Sequence, residues 1–327
     1  MSVVLFPQSS PHPDSNLHEA KPAVPQRLWD EALNNPAEQF LSRCGKRIRG
    51  AIVNESFRLA GGDGDAPQQI AEAIELLHAG SLIVDDIEDD SAERRGRPTL
   101  HREIGMPLAL NTGNWMYFLS LEKIAEAGID PKSSHRMLVQ VVRTVRRCHE
   151  GQALDLSAAV DLLQPSEVRP TVLTISRLKT GGLTALSSWL GATAAGANRV
   201  TRKAFGRFGM NVGVCLQMRN DLNELRRLLQ GEQRLDDLRN ARVTWPWAWA
   251  AKTMSTSELV VLQSRLRNAL GEVEELKSVA RRLLDGVGDR GDSFIKTKLE
   301  RELSLLGEHV ESTQSLRSAL SKLQGMR

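Results

Sequence analysis

The sequence predicts an all-α fold, a single domain built as a bundle of long antiparallel helices. From about residue 24 onward apolar residues recur at intervals of three and four, as in AEAIELLHAGSLIVDDI and RMLVQVVRTVRRC, which is the period of a helix. Alternating runs of β-branched residues between Gly-rich turns, the pattern of a sheet, are absent from the sequence. The apolar content of 41% is ordinary for a globular protein and sufficient for a sizeable core.

Composition divides the chain into a tail and a helical domain. Residues 1–24 are rich in Pro, Ser, His and Asp without periodicity, which predicts a flexible tail, and residues 25–327 form the predicted all-α domain. Breaks between helices are expected at GGDGDAP (61–67), RRGRPT (94–99), AGIDPKSS (127–134) and LLQPSEVRP (162–170). The helices between about 70 and 225 are the most apolar, so polar residues inside them need partners or a function.

Charge and cysteine content disfavour several classes of protein. The formal net charge is +3, with 43 Lys and Arg and 40 Asp and Glu mixed along the chain, which disfavours nucleic acid as a partner. Three scattered cysteines form no CxxC pair, which predicts reduced thiols. The amino terminus lacks a basic segment, and no window of about 18 apolar residues occurs. We therefore expect a cytoplasmic protein without a signal peptide or a membrane span.

The strongest local signal is an acidic run followed by two arginines, VDDIEDDSAERRGRPTLH (84–101). Asp85 and Asp89 are four residues apart, so on a helix they share a face. Carboxylates at this density repel one another unless cations neutralise them, and hard oxygen ligands of this kind suit Mg²⁺. A solvated acidic helix end would explain the acids alone. It would not explain Arg94 and Arg95, two cations suited to phosphate.

Further motifs in the same order along the chain resemble the trans-isoprenyl diphosphate synthase (polyprenyl synthetase) family. The family's first aspartate-rich motif, DDxxDxSxxRRG, is matched in full from Asp85 to Gly96. GKRIRG (45–50) resembles the family's GKxxR element, and ELLHAGSLIVDD (75–86) resembles its histidine-containing segment. GQALDL (151–156) and LKTGGL (178–183) resemble its GQxxDL and KT elements. The similarity extends from about residue 40 to residue 250.

The resemblance implies the isoprenoid synthase fold, with helices around a central cavity, and a Mg²⁺-dependent reaction with up to three ions. Isopentenyl diphosphate would join an allylic diphosphate head to tail, giving a linear trans-polyprenyl diphosphate. The implied metal ligands are Asp85, Asp86, Asp89, Asn220, Asp221 and Glu224. The implied diphosphate-binding residues are Lys46, Arg49, His78, Arg94, Arg95, Gln152 and Arg242. The implied catalytic residues are Lys179, Thr180 and Gln217.

Several of these residues have a simpler interpretation when taken alone. The GKRIRG segment is typical of ordinary surface charge, and His78 is typical of a core histidine with satisfied hydrogen bonds. Gln152 and Asp155 either support the metal side or simply form a buried polar pair between helices.

The sequence departs from the family at the second aspartate-rich motif. FQxxDDxxD is replaced by LQMRNDLNE (216–224), with Asn220 for the first acid and Glu224 for the last. The change removes about one negative charge at the metal, although an amide oxygen can still ligate Mg²⁺. Arg242 replaces a lysine of the family, and Asn114 in GNWM replaces an acid.

Three functions follow from this pattern. A synthase is favoured, because Lys46, Arg49, His78 and Arg95 together would bind a second diphosphate. A class I terpene cyclase is the second interpretation, because such enzymes often begin this motif with Asn and because tryptophans could shield a carbocation. They are Trp115, Trp245, Trp247 and Trp249. A weakly active subunit of a heteromeric synthase is the third.

Small residues before the first motif bear on product length. Gly80 and Ser81 precede Asp85 by about one turn. In the family that the sequence resembles, a large aromatic side chain near this place shortens the product by blocking the tunnel, so its absence here favours a geranylgeranyl or longer product over farnesyl. The wall of the product tunnel could instead come from other residues or from a dimer interface. The candidates are Leu77, Leu110, Tyr117 and Phe118. The family resemblance also implies a homodimer, with the apolar helices of 100–125 as plausible interface.

Overall fold

The computed structural model describes residues 24–317 except 44, 46, 66, 232–235, 270–271, 289, 311–312 and 315. These residues are helical nearly throughout, which confirms the all-α class. Lys46 and the predicted tail, apart from Val24, lie outside the described residues. The chain divides into two compact units. Unit 1 comprises Met1–Arg47 and Ala73–Glu122, and unit 2 comprises Ile48–Glu72 and Lys123–Arg327. The single domain over 25–327 stays a prediction.

Helices follow one another along almost all of the described chain. The first are α1 (Gln26–Trp29), α2 (Asn35–Arg43), α3 (Ile48–Leu59), α4 (Gln68–Glu88), α5 (Leu100–Ile104), α6 (Met106–Ala125) and α7 (Pro131–Ser157). They are followed by α8 (Pro165–Ser176), α9 (Gly182–Ala194), α10 (Arg199–Leu229) and α11 (Asp236–Arg239). The last are α12 (Trp245–Thr253), α13 (Thr256–Ala269), α14 (Val273–Val287) and α15 (Arg290–Gly307). Strands β1 (Glu93–Arg94) and β2 (Arg97–Pro98) form one antiparallel pair.

Unit 1 has a core of aliphatic and aromatic side chains from α2, α4, α5 and α6, including Phe40, Ile83 and Met116. Helices α4 and α6 approach closely at Gly80, where an added Cβ would lie 2.7 Å from the Gly113 carbonyl oxygen. Gly80 is therefore required by helix packing. The predicted break at 94–99 is confirmed, and it contains the small β1–β2 hairpin.

Unit 2 is built around α10, the longest helix, which packs against α9. The close approach depends on glycine. An added Cβ on Gly213 would lie 2.6 Å from the Thr180 carbonyl oxygen, and one on Gly209 would lie 2.5 Å from that of Thr184. Trp247 of α12 is fully buried in the same core. In the described part of the chain, no helix combines the length and the apolar character needed to cross a bilayer.

Two predicted breaks are shorter in the structure than the sequence indicated. Helix α7 begins at Pro131, where Asp130 accepts a hydrogen bond from the Ser133 backbone N–H. Helix α8 begins at Pro165 and continues through Pro170, so the prediction of a break over the whole of 162–170 is wrong. Proline at the first helical position lacks only an N–H that would have no partner inside the helix.

A π-helical turn, Arg177–Gly181, joins α8 to α9 without a break in the helix. Such turns insert an extra residue into an α-helix and are frequent at functional sites. This turn carries Lys179 and Thr180, two of the predicted catalytic residues. Gly151 of α7 packs against it, since an added Cβ there would lie 2.6 Å from Leu178 Cβ.

Candidate active site

In unit 1, the first acidic motif occupies the carboxyl end of α4. Asp86 is buried, with 2% of its surface exposed, and its Oδ2 accepts a hydrogen bond of 2.7 Å from Arg94 Nε. Burial raises the pKa of Asp86, while the hydrogen bond and charge of Arg94 oppose that rise. Asp85 and Asp89 are half-buried and thus more open to solvent than Asp86. Asp89 is the first residue after α4, and its backbone N–H donates to the Asp85 carbonyl oxygen at 2.9 Å, which continues the helical spacing of the two acids. They are the members of the motif best placed to meet a ligand.

The β1–β2 hairpin positions the two arginines differently. Arg94 turns back toward α4, where its Nη2 lies 3.5 Å from Asp85 Oδ2 in addition to its bond with Asp86. In the structure Arg94 pairs with the two aspartates of α4, and its binding of the diphosphate remains a prediction. Arg95 occupies the turn with a φ of 56° and is exposed, and its Nη1 donates to the Arg43 carbonyl oxygen at 3.0 Å.

Arg95 therefore lies beside the segment that precedes Lys46. An added Cβ on Gly45 would collide with the Arg95 guanidinium, so glycine permits this contact. Within unit 1 the structure thus brings Arg95 to Gly45, the first residue of the GKRIRG segment. His78 is half-buried on α4, about two turns before Asp85, and its carbonyl oxygen accepts a hydrogen bond from Ser81 Oγ.

In unit 2, Lys179 is held by an ion pair. Its Nζ lies 2.6 Å from Asp155 Oδ2, and both side chains are largely buried. Arg242 Nη1 donates to the Asp155 backbone carbonyl oxygen at 2.6 Å. Asp155 thus forms a polar pair with Lys179 of a neighbouring helical segment, which is one of the two interpretations of this residue considered in the sequence analysis. Gln152, half-buried, lies one turn earlier on α7.

Arg49 belongs to the same unit. Its positive charge and that of Lys179 act on the Cys148 thiol, although burial dominates and raises the pKa of Cys148 to about 11. Cys148 Sγ lies 3.9 Å from the Lys179 carbonyl oxygen. Cys148 is therefore a neutral packing residue, and three predicted cationic residues, Arg49, Lys179 and Arg242, belong to unit 2.

The predicted catalytic residues form a hydrogen-bonded chain. Thr180 Oγ1 donates to Gln217 Oε1 at 2.6 Å, and Gln217 Nε2 donates to Asp221 Oδ1 at 2.7 Å. Asp221 Oδ2 accepts the Trp245 backbone N–H at 2.9 Å. The sequence did not predict this role for Trp245, because its partner lies 24 residues away.

Each acidic motif contains one buried acid. In the second motif Asp221 is buried, with 5% of its surface exposed, while Glu224 is half-buried and Asn220 is exposed. In the first motif Asp86 is buried, and Asp85 and Asp89 are both half-buried. The amide at position 220 therefore leaves the buried acid of the second motif in place.

Carboxylates crowd around this second motif. Burial and, next, the negative charge of Asp237 together raise the pKa of Asp221 to about 7, against the hydrogen bonds from Trp245 and Gln217 that lower it. Burial also raises the pKa of Glu224, against a hydrogen bond from Asp237. Crowded carboxylates repel one another, and a bound cation would neutralise that repulsion. Asp237 was missed as a site residue, although it opens the segment DLRNARVTWPW, in which Arg242 was compared with the family.

These oxygen donors fit Mg²⁺ chemically. Across the described residues, no three His, Cys, Asp or Glu side chains already stand together in metal-ligating positions. The metal ligands predicted from the sequence therefore stay predictions, supported by the donor chemistry and by the raised pKa values of Asp86, Asp221 and Glu224.

The tryptophans belong to helix packing. Trp247 is fully buried, and the rings of Trp245 and Trp249 lie 5.8 Å apart in a tilted arrangement. The Trp245 indole N–H donates to Ser176 Oγ at 2.9 Å. Trp115 is half-buried against the core of unit 1. These contacts do not favour the carbocation-shielding role considered for a cyclase.

Known proteins are similar to this chain over most of its length. Residues 30–283 match the polyprenyl synthetase family. A short chain isoprenyl diphosphate synthase of Methanocaldococcus jannaschii is 30% identical over 256 residues, covering 76% of this chain and 75% of that protein. Heptaprenyl diphosphate synthase component 2 of Geobacillus stearothermophilus is 34% identical over 220 residues, covering 67% and 66%. The crystal structure of geranylgeranyl pyrophosphate synthetase from Pyrococcus horikoshii Ot3 has a TM-score of 0.75 at 24% identity, covering 92% and 94%.

Proposed function

Because the chain belongs to the polyprenyl synthetase family, we propose that it condenses isopentenyl diphosphate with an allylic diphosphate. The product is a linear trans-polyprenyl diphosphate. The observation that carries the proposal is the contact of Arg95 with Gly45, which begins the basic GKRIRG segment, in a chain with a complete first acidic motif. An enzyme that acts on a single diphosphate has no use for this additional cationic group.

The reaction breaks the allylic C–O bond, and the diphosphate leaves with the electron pair. The double bond of isopentenyl diphosphate then attacks the allylic carbocation, and loss of a proton completes the new chain. Departure of diphosphate needs concentrated positive charge. Lys179, fixed by Asp155, supplies one such charge, while Thr180 and Gln217 present fixed dipoles.

Mg²⁺, when bound, would neutralise the leaving diphosphate. Its proposed ligands are Asp85, Asp86 and Asp89 in one motif and Asn220, Asp221 and Glu224 in the other. Arg49, His78, Arg95 and Lys46 are proposed to bind isopentenyl diphosphate, and Arg94, Gln152 and Arg242 to support the allylic diphosphate and its metals.

The direct test is incubation of the protein with isopentenyl diphosphate, an allylic diphosphate and Mg²⁺, followed by phosphatase treatment and product identification. A chain-elongated linear alcohol is the expected product. A cyclic hydrocarbon formed from the allylic substrate alone would instead establish a cyclase.

A subunit role is the second candidate, because a similar protein is named as component 2 of a heptaprenyl diphosphate synthase. The same assay separates the two functions. Activity of this chain alone supports the synthase, and activity that requires a second, different chain supports the subunit role.

Replacing Asn220 by Asp is expected to lower the Mg²⁺ concentration needed for half-maximal activity several-fold. The substitution restores a carboxylate at an exposed position, so no packing cost accompanies it. A Mg²⁺ titration of the initial rate measures the effect. The matched control is Asn223→Asp, which adds the same charge three residues further along α10. An equal shift in both variants would show that position 220 is not a ligand.

Product length is proposed to depend on Tyr117. An added Cβ on Gly80 would lie 3.2 Å from Tyr117 Cε1, so the space beside Gly80 is filled by α6. Phe118 and Leu110 are exposed, at 71% and 40%. The small size of Gly80 therefore reflects packing and does not by itself support the geranylgeranyl preference, which stays a proposal.

Tyr117→Ala is expected to lengthen the product by at least one isoprene unit, because it removes the ring that covers this part of α4. Chromatography of the dephosphorylated products measures the change. Tyr117→Phe keeps the ring and is expected to give the wild-type product. An unaltered product distribution in Tyr117→Ala would show that Tyr117 does not form the wall of the product tunnel.

A homodimer is proposed from the exposed face of α6. Leu110 and Phe118 are eight residues apart and thus share a helical face, and Met106 is 55% exposed nearby in sequence. Exposed apolar groups in such a stripe mark association surfaces. Sedimentation is expected to show a dimer for the wild type and a monomer for Phe118→Asp. A wild type that sediments as a monomer at micromolar concentration would contradict the proposal.

A further inference from the structure

We propose that Trp245 is a positioning residue, which holds the π-helical turn carrying Lys179 and Thr180 in a fixed relation to Asp221. The inference rests on the proposed function, because positioning this turn matters only if the turn serves the reaction. It concerns a residue outside the predicted site, and it depends on contacts within unit 2 alone.

Both N–H groups of Trp245 have buried acceptors on different helices. The backbone N–H donates to Asp221 Oδ2 on α10, and the indole Nε1–H donates to Ser176 Oγ on α8, each at 2.9 Å. Trp245, Ser176 and Asp221 are 5%, 2% and 5% exposed. Little water can compete for these bonds, so each is stronger than an exposed equivalent.

These two bonds close a ring that contains the predicted catalytic residues. Ser176 immediately precedes the π-helical turn, and Thr180 within the turn donates to Gln217. Gln217 donates to Asp221, and Trp245 connects Asp221 back to Ser176. A displacement of the turn along α10 must therefore break at least one of four hydrogen bonds.

The indole is the part of Trp245 that gives this connection its specificity. Any residue except proline at this position could donate its backbone N–H to Asp221. Thr244, the preceding N-cap residue, makes no side-chain cap, and Pro246 lacks an N–H, so Asp221 accepts the first N–H of α12. Only a side chain with a donor at the indole position reaches Ser176 as well. Contact with the Trp249 ring supports this orientation.

The test compares Trp245→Phe with the wild type in the condensation assay. Phenylalanine keeps the backbone N–H and most of the packing, and it removes the indole donor together with part of the ring volume. We expect kcat to fall about 5- to 20-fold, because small displacements of positioned groups slow the chemical step. The KM for isopentenyl diphosphate is expected to change less than twofold, since its proposed ligands are elsewhere.

Two further variants separate positioning from general packing. Ser176→Ala removes the other partner of the bond, and the double variant Trp245→Phe/Ser176→Ala is expected to be no slower than the slower single variant. Trp247→Phe is the matched control in the same helix. It is expected to lower the unfolding temperature and to leave kcat within twofold of the wild type.

A kcat for Trp245→Phe within twofold of the wild type would overturn the proposal. So would multiplicative effects in the double variant, or an equal loss of kcat in Trp247→Phe. A wild-type protein that does not elongate any allylic substrate overturns the proposed function and this proposal with it. An active wild type with an unaffected Trp245→Phe overturns only the positioning role.

Discussion

Replacing Asp85 and Asp89 together by asparagine is expected to lower kcat by about 10³-fold or more at saturating substrates. These two acids are half-buried, while Asp86 is buried and hydrogen-bonded to Arg94. Without both charges, the proposed Mg²⁺ site loses most of its attraction for the ion, and the diphosphate loses its main counter-charge. Steady-state kinetics over a range of Mg²⁺ concentrations measures the effect.

The same double variant is expected to unfold at a temperature no lower than that of the wild type. Asp85 and Asp89 lie in a run of like charges, so their removal relieves repulsion, which offsets the loss of the ion pair between Arg94 and Asp85. Activity should therefore fall without a loss of stability, which a structural role for these acids would not produce. Glu88→Gln is the matched control, because it removes one charge from an exposed position in the same run. A double variant with activity close to that of Glu88→Gln would contradict the assignment.

Lys179→Met is expected to lower kcat by about 10²- to 10³-fold, the range typical of removing one group that stabilises developing charge. The lysine is held within the π-helical turn by its bond of 2.6 Å to Asp155 Oδ2. Methionine keeps the length and apolar stem of the side chain and removes only the cation. Single-turnover measurement of product formation reports the chemical step directly.

Two further variants serve as comparisons for Lys179→Met. One tests the position of the lysine, and the other tests the loss of a positive charge elsewhere in the protein. Asp155→Asn keeps the lysine and weakens only its anchor, so about a 10-fold decrease is expected, because the cation remains but its position is less fixed. Lys252→Met removes a cation from an exposed position on α12 and should leave the rate unchanged. A Lys179→Met enzyme within threefold of the wild-type rate would exclude the proposed role.

Local spacing in the sequence was sufficient to predict which acidic residues lie on one side of a helix. The four-residue interval of Asp85 and Asp89 fixes a shared helical face, since helical geometry is set by neighbouring residues alone. The same holds for Asn220 and Glu224. The all-α class followed from apolar periodicity for the same reason.

Contacts between distant residues could not be predicted in this way. Trp245 meets Ser176 across 69 positions, and Arg94 reaches Asp86 only because of a hairpin turn with positive φ at Arg95. Neither contact leaves a periodic pattern in the sequence. Gly80 is a different case, because a glycine in the sequence is compatible both with an open product tunnel and with a close helix contact. The structure shows the close helix contact.

The central claim is that this chain, by itself, joins two diphosphate substrates. The most direct measurement is transfer of label from isotopically labelled isopentenyl diphosphate into a longer chain, with and without an allylic diphosphate. We expect Mg²⁺-dependent incorporation into a linear prenyl diphosphate only when both substrates are present. Absence of labelled product with every allylic substrate, or a cyclic product without label, would contradict it.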